Sequence, residues 1–137
     1  MPYATVMVYV DADSAPEQRV RLAARVADKF NATLIGLSAL AVRPAFVSEG
    51  VLAQDLMQTD INELRGRLSD RGTWFRAAAG ADHRKLEWRA MLDLPNGALA
   101  AEARSADLVV IGQIRGVGDA YTALDPGRAV LETDVRP

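Results

Sequence analysis

Four short apolar stretches are spaced along the chain, separated by longer segments of mixed polarity. Three of them, Tyr3–Val10, Thr33–Leu40 and Leu108–Gly112, are continuous, and the third is expected to be the most completely buried. Continuous apolar runs of this length are typical of parallel strands covered on both faces. The fourth stretch alternates apolar and polar positions, which predicts a half-exposed strand at a sheet edge. Its apolar positions are Leu86, Trp88, Ala90 and Leu92.

The segments between and after these strands have the periodicity of amphipathic helices. The first helix is expected to begin at Ser14, which stands three residues before Glu17 and forms with it the pattern of a capping box. Asn31 is placed to end this helix. Three further helices are expected: from near Ser48 to just before Gly80, from Pro95 to about Ser105, and from Asp125-Pro126 onward with Val130 on its apolar side.

Strands that alternate with helices predict an α/β fold, a doubly wound and mainly parallel open sheet with right-handed crossovers. The length of 137 residues fits a single domain over residues 1–137. The alternation calls for one more strand after the last helix, but only Val135-Arg136-Pro137 follow it. We therefore expect one domain that is truncated before its last strand.

Composition narrows the classes of partner. The 16 basic and 18 acidic residues give a net charge of −2 with no long run of either sign, which argues against a nucleic-acid-binding protein. The chain has no cysteine, which excludes disulfides, thiolate zinc sites, iron–sulfur clusters and cysteine nucleophiles. No apolar run approaches the roughly 18 residues of a membrane span. We expect a cytoplasmic chain without nucleic-acid or membrane partners.

Two loops at the carboxyl ends of strands form the candidate binding crevice. Asp11–Ser14 follows the strand Tyr3–Val10, and Gly112–Gly118 follows the strand Leu108–Gly112. In open α/β sheets, ligands bind outside the carboxyl ends of the strands, where the strand order reverses. Glycines at 112, 116, 118 and 127 would let a phosphate reach backbone N–H groups. The same glycines can serve only to form tight turns, and the sequence leaves both interpretations open.

These features resemble the universal stress protein family. The strand that ends at Asp11 and the segment Leu99–Gly112 carry the resemblance, which extends in element order over nearly the whole chain. It implies a Rossmann-like sheet of the adenine nucleotide alpha hydrolase type, with strand order 3-2-1-4-5 and the fifth strand missing here. In that family the aspartate that ends the first strand contacts the adenosine part of ATP, and a G-x2-G-x9-G-[S/T] loop holds the phosphates. Asp11 matches the aspartate and Gly112 the first glycine.

The phosphate loop departs from the family pattern. Gly116 follows Gly112 after three residues instead of two, Gly127 lies eleven positions beyond Gly116 instead of ten, and Arg128 stands at the hydroxyl position. Asp125 is expected to cap the last helix and to use N–H groups that a phosphate would need. We expect ATP binding to be weak or lost and no cofactor to be required. The candidate nucleotide-binding residues are Asp11, Ala12, Ala39, Gly112, Arg115, Gly116, Gly118, Gly127 and Arg128.

The resemblance also implies a partner. Family members pair through the last strand, and some chains carry two such domains, of which one half can have a degenerate loop. We expect this chain to be the N-terminal domain of such a tandem, paired with another universal stress protein domain in the same chain or in a second copy. Two functions stay open: a dimerising, regulatory interaction module of the stress response with a degenerate ATP-binding loop, or a nucleotide-sensing domain that binds ATP through a non-standard loop.

Catalytic and signalling alternatives lack the residues they need. A response-regulator receiver could use Asp93 as its phosphoacceptor but needs a lysine late in the chain, and the only lysines are Lys29 and Lys85. Asp93 fits better as a turn residue before Pro95. The single His83 lies in a charged stretch, with no triad partner, no G-x-S-x-G motif and no cysteine beside it. We therefore expect no enzymatic activity.

Bulky and charged residues on the remaining periodic segments favour structural roles. Trp74 and Trp88 fall on helical and strand periodicities, which predicts core packing for both. The arginines of the long second helix lie mostly off its apolar stripe and are expected to form a solvated face. They are Arg65, Arg67, Arg71 and Arg76.

Overall fold

The computed structural model describes residues 4–14, 16–42, 50–80, 85–112 and 121–132. Strands and helices alternate along these segments, as the sequence pattern predicts. The strands are β1 Thr5–Tyr9, β2 Thr33–Ala39, β3 Leu86–Met91 and β4 Leu108–Val110. The helices are α1 Glu17–Phe30, α2 Gly50–Ala79, α3 Pro95–Glu102, which continues into a 3-10 turn over Ala103–Ser105, and α4 Pro126–Glu132.

The four strands form one parallel sheet in the order β3-β2-β1-β4. In the middle of the sheet, Val8 of β1 lies between Gly36 of β2 and Val110 of β4, and Gly36 lies beside Trp88 of β3. The predicted order 3-2-1-4 and the parallel, doubly wound α/β class are confirmed. No fifth strand occurs among the residues that the structure describes.

Side chains from the two faces of the sheet form separate cores. On one face, Val6 and Val8 pack under α1 and α2, against Val20, Ala27 and Phe75. On the other face, a second cluster joins the sheet to α3 and α4. Its buried members are Met7, Tyr9, Ile35, Leu37, Leu99, Ala103, Leu124 and Ala129. Because β1 alternates between these clusters, its residues are buried on both faces, as a continuous apolar run predicts.

The start of α1 differs from the predicted capping box. The helix begins at Glu17, Pro16 occupies the N-cap position, and no side chain caps the first turn. The Ser14 hydroxyl instead donates to Asp11 Oδ2 at 3.2 Å. Proline disfavours a helical conformation in the residue before it, so the helix starts after the serine. The predicted end is confirmed, since Asn31 adopts the left-handed conformation at φ 52° and its N–H bonds back into the last turn.

Strand β3 lies at the sheet edge, as predicted, but its apolar face is shorter than expected. Leu86 and Trp88 pack on the core beneath α2, whereas Ala90 is exposed and Leu92 lies beyond the strand in solvent. Met91 contacts the opposite core instead. The alternation from Leu86 to Leu92 is therefore right in period but wrong about the last two apolar positions, because the core beneath α2 takes in only Leu86 and Trp88 of this segment.

Arg89 attaches this edge strand to the layer below it. Its Nη1 donates to Glu102 Oε2 at 2.7 Å and to Ser105 Oγ at 3.0 Å, and its Nε donates to Glu87 at 3.3 Å. Burial alone would lower the pKa of Arg89, but the hydrogen bonds to Glu87 and Glu102 outweigh that effect and raise it. The edge strand is thus held by charge-assisted hydrogen bonds as well as by its ladder to β2.

Strand β4 and helix α4 are less buried than their sequences suggest. All three residues of β4 are half-buried, because β4 ends the sheet in the described part of the chain and has a ladder partner on one side there. In α4, Ala129 packs into the core while Val130 is 59% exposed. The predicted apolar role of Val130 is wrong, since only one side of this short helix meets α3.

Two glycines let the long helix α2 lie close against the sheet. A Cβ at Gly36 would stand 2.8 Å from three atoms of the Phe75 ring, and a Cβ at Gly72 would stand 2.7 Å from the Trp88 indole nitrogen. The Phe75 and Trp88 rings are themselves in contact, with centroids 5.4 Å apart. Trp74 also packs against this cluster. The predicted core packing of both tryptophans is confirmed.

Candidate functional site

The carboxyl ends of β1, β2 and β4 bring three of the predicted site residues to one edge of the sheet. Asp11 follows β1 by two residues, Gly112 follows β4 by two, and Ala39 ends β2. The pairing of Val8 with Val110 places Gly112 level with Val10, one residue before Asp11, on the neighbouring strand. The strand order reverses between β1 and β4, which is where open α/β sheets bind ligands. We call this edge the β1–β4 crevice.

Arg19 from the first turn of α1 reaches into the β1–β4 crevice. Its Nη1 donates to the Tyr9 carbonyl at 2.9 Å and to Asp11 Oδ2 at 3.1 Å. The Arg19 and Asp11 side chains are only 18% and 22% exposed, so this ion pair is partly shielded from water. Asp11 Oδ2 also accepts the Ser14 hydroxyl. The carboxylate that the resemblance assigns to adenosine therefore already has two partners within the chain.

The same guanidinium lies against Gly112. A Cβ at this position would overlap Nη2 and Cζ of Arg19, so any side chain there would force the guanidinium to move. Glycine is thus required at position 112 for the guanidinium to lie where it does. The absence of a side chain at Gly112 thus makes room for Arg19. This is a third role for the glycine, beside the tight turn and the phosphate contact that the sequence left open.

Ala12 and Ala39 lie beside the crevice, with their side chains directed into the core. Ala12 packs with Leu40 and Leu68 in a small cluster, and Ala39 is fully buried. The Tyr9 hydroxyl points to the Ala39 carbonyl at 3.5 Å. Burial raises the pKa of Tyr9 because its charged form would be poorly solvated there. Of these two alanines, only Ala12 has exposed surface that could meet a ligand.

The N-terminus of α4 carries Gly127 and Arg128 and is capped by the chain itself. The Arg128 N–H donates to Asp125 Oδ1 at 3.3 Å, and the Ala129 N–H donates to the Asp125 carbonyl at 2.9 Å. Asn96 of α3 fixes this turn through two hydrogen bonds with the Asp125 backbone, at 2.9 and 3.0 Å. The predicted capping role of Asp125 is confirmed. Pro126 supplies no N–H, so few amides of this turn are left for an anion.

The remaining predicted residues, Arg115, Gly116 and Gly118, lie outside the residues that the structure describes. The described segment that follows them returns to the crevice edge, where the Ala41 N–H donates to the Tyr121 carbonyl at 2.9 Å. The chain on both sides of the predicted loop therefore meets the carboxyl ends of the strands. The weak or lost phosphate binding expected of this loop stays a prediction.

A second cleft of about 370 Å³ lies beside the loop after β1. Arg67 and Arg71 of α2 line it together with Asp70 and residues 12–14. Arg71 donates to the Ser14 carbonyl and lies over the Trp74 ring at 5.1 Å. The prediction of a fully solvated arginine face is therefore wrong for Arg67 and Arg71, which are half-buried, while Arg65 and Arg76 are exposed. Through its bond to the Ser14 carbonyl, Arg71 steadies the loop that carries Asp11.

Arg19 is the site residue that sequence reasoning missed. Its signal was present, since a basic residue stood in the first turn of the helix that follows Asp11. Side chains of a helix lean towards its N-terminus, and the N-terminus of α1 lies over the end of β1. What the sequence does not show is that the Arg19 side chain turns across the end of β1 and lies against Gly112 on the neighbouring strand.

Two other kinds of site receive no support within the described segments. No three His, Cys, Asp or Glu side chains come together there in a way that could hold a metal ion. None of the helices described has both the length and the apolar character needed to cross a membrane.

Comparison with known proteins places the fold. By sequence, the chain matches no protein-family model and no curated protein. By structure it is similar to UspA from Lactobacillus plantarum, with a TM-score of 0.65, 14% identity, and coverage of 98% of this chain and 94% of that one. It is also similar to a universal stress protein in complex with cAMP, with a TM-score of 0.59, 20% identity, and coverage of 98% of this chain and 93% of that one. A universal stress protein from Archaeoglobus fulgidus in complex with dAMP has a TM-score of 0.52 and 23% identity, with coverage of 82% of each chain. The chain therefore has the universal stress protein fold.

Proposed function

We propose that this chain is a universal stress protein domain that acts as a regulatory interaction module and does not depend on bound nucleotide. It works in the cytoplasm without catalysing a reaction, and it pairs with another universal stress protein domain. The ion pair between Asp11 and Arg19 carries the proposal. It occupies Oδ2 of the carboxylate that the resemblance assigns to the adenosine part of a nucleotide, so a nucleotide must compete there with a partner already in place.

The N-terminus of α4 supports the same function. Asp125 puts a carboxylate at the N-terminus of α4, where a phosphate loop would present free amides. A ligand phosphate there would lose the Arg128 amide as a partner and would meet a like charge. In the present geometry, the described crevice residues therefore fit an adenine nucleotide poorly at both its adenosine end and its phosphate end.

A second function, nucleotide sensing through an altered phosphate loop, is favoured by a different observation. Two of the similar structures are universal stress proteins in complex with cAMP and with dAMP. Asp11 and Gly112 occupy the strand ends at which a nucleotide would bind in this fold. If Arg19 and Asp125 move aside, the same residues could accept an adenine nucleotide.

Nucleotide analysis of the purified protein separates the two functions. The protein is denatured and the supernatant is analysed for adenine nucleotide, and the native protein is then titrated with ATP and magnesium by calorimetry. The interaction-module function predicts no released nucleotide and no binding at millimolar ATP. Micromolar binding that Asp11→Ala abolishes and Asp60→Ala leaves intact would refute it in favour of sensing, because Asp60 is an exposed carboxylate on α2.

Sedimentation analysis tests the pairing. We expect a reversible self-association that persists when nucleotide is added or removed. A chain that sediments as a monomer over the whole accessible concentration range would contradict pairing with a second copy. Release of ADP or phosphate from ATP at a rate above the buffer control would contradict the non-catalytic role.

A further inference from the structure

One side chain, Arg19, joins the carboxyl ends of the neighbouring strands β1 and β4. Its Nη1 holds the Tyr9 carbonyl and the Asp11 carboxylate on the β1 side. Its Nη2 and Cζ lie over Gly112 on the β4 side, so close that no Cβ would fit between them. The planar, cationic guanidinium therefore fills the gap at which the strand order reverses.

The proposal rests on the proposed function and goes one step beyond it. We propose that Arg19 is an intramolecular occupant of the β1–β4 crevice. It holds Asp11 and covers Gly112, and an adenine nucleoside enters only after the Arg19 side chain has moved out to solvent. Arg19 thus acts as a self-inhibitory residue, and the identity of this one residue sets the affinity of the crevice for nucleosides.

The position of Arg19 makes this movement feasible. The residue lies in the first turn of α1, and 18% of its side chain is exposed, so the guanidinium can reach solvent by rotating about its own bonds. Neither hydrogen bond of the guanidinium is made to the backbone of α1. A ligand that binds only the open state is weakened by the fraction of molecules in that state.

The opposite role makes the opposite prediction. If the Arg19 guanidinium were a ligand for phosphate, then removing it would weaken binding of ATP and leave binding of adenosine little changed. If it is an occupant, then removing it strengthens binding of adenosine, which carries no charge. Adenosine is therefore the decisive probe, and ATP is the comparison.

The experiment measures adenosine and ATP binding by calorimetry to the wild-type chain, to Arg19→Gln and to Arg19→Met. The methionine variant keeps an apolar stem of similar reach, so it serves if the glutamine variant does not fold. Arg21→Gln is the matched control, because Arg21 lies on the same helix and its ion pair with Glu17 is exposed. Far-ultraviolet circular dichroism verifies that each variant is folded.

We expect either Arg19 variant to bind adenosine at least about tenfold more tightly than the wild type, the effect of losing one charge-assisted hydrogen bond from the closed state. Arg21→Gln should match the wild type.

Two results would overturn the proposal in distinguishable ways. Adenosine binding that is unchanged or weaker in both folded Arg19 variants removes Arg19 as an occupant and leaves the proposed function standing. Micromolar ATP binding by the wild type that drops in both variants makes Arg19 a phosphate ligand, and the proposed function fails with it.

Discussion

Gly36→Ala tests the close packing of helix α2 on the sheet. The added Cβ would stand 2.8 Å from three carbons of the Phe75 ring, roughly 0.6 Å inside ordinary van der Waals contact. Phe75 is fully buried and lies against Trp88, so the ring has no free direction in which to retreat. Gly36 is fixed in its turn by ladders to the strands on both sides.

The expected loss follows from two opposing effects. Overpacking of a well-filled core costs about 1–3 kcal/mol. Alanine recovers about 0.4–1 kcal/mol by restricting the unfolded chain relative to glycine. We therefore expect Gly36→Ala to lower the free energy of unfolding by about 1–2 kcal/mol, seen as a lower midpoint in urea with an unchanged slope.

Gly66→Ala is the control. Gly66 lies exposed in α2, the helix that packs on Gly36, and a Cβ there meets no atom within 4 Å. Alanine at such a site should raise stability by about 0.5–1 kcal/mol. In a Phe75→Leu background the Gly36 substitution should cost less, because the clashing ring atoms are gone. Equal stability of the Gly36→Ala and Gly66→Ala variants would refute the packing argument.

Two further predictions concern a buried hydroxyl and a helix cap. Burial raises the pKa of Tyr9 above its ordinary 10.0, so the stability this hydroxyl contributes is complete below pH 10 and is lost as the pH rises further, by up to about 1.4 kcal/mol per pH unit. Urea titrations above pH 10 should therefore show a steeper loss for the wild type than for Tyr9→Phe, and parallel curves would contradict this. Asp125→Ala should lower stability by about 0.5–2 kcal/mol through loss of the cap on Arg128, whereas Asp125→Asn, which keeps an acceptor, should change it little. Equal losses in the two Asp125 variants would show that the cap is not what stabilises this turn.

Much of the fold could be predicted because its determinants are local. Continuous apolar runs identified the buried strands, alternation identified the edge strand β3, and Asn31 marked the end of α1. The start of α1 was missed because two local signals compete there: the Ser14 pattern favours an earlier start, and Pro16 prevents it. A motif read without its neighbours gave the wrong boundary.

The parts that could not be predicted depend on contacts between segments far apart in the chain. Gly36 and Phe75 are 39 positions apart, and nothing near either residue shows that one must lack a side chain for the other to fit. The contacts in the β1–β4 crevice also depend on residues that are distant in the sequence. Strand ends identified Asp11 and Gly112 as neighbours, but the occupation of the space between them by Arg19 follows only from the three-dimensional packing.

The contacts of Asp11 and of Asp125 both stabilise the ligand-free fold. In a protein whose site groups wait for a ligand, binding adds stability, about 2.7 kcal/mol at a hundred times the dissociation constant. Here Arg19 binds one oxygen of Asp11, and Asp125 accepts an amide of α4, so part of this stabilisation is present without a ligand. A nucleotide would have to replace these contacts before it could add any of its own. Substitutions that open the crevice should therefore strengthen binding and weaken the ligand-free fold together, which a merely eroded binding site, whose groups are simply absent, would not do.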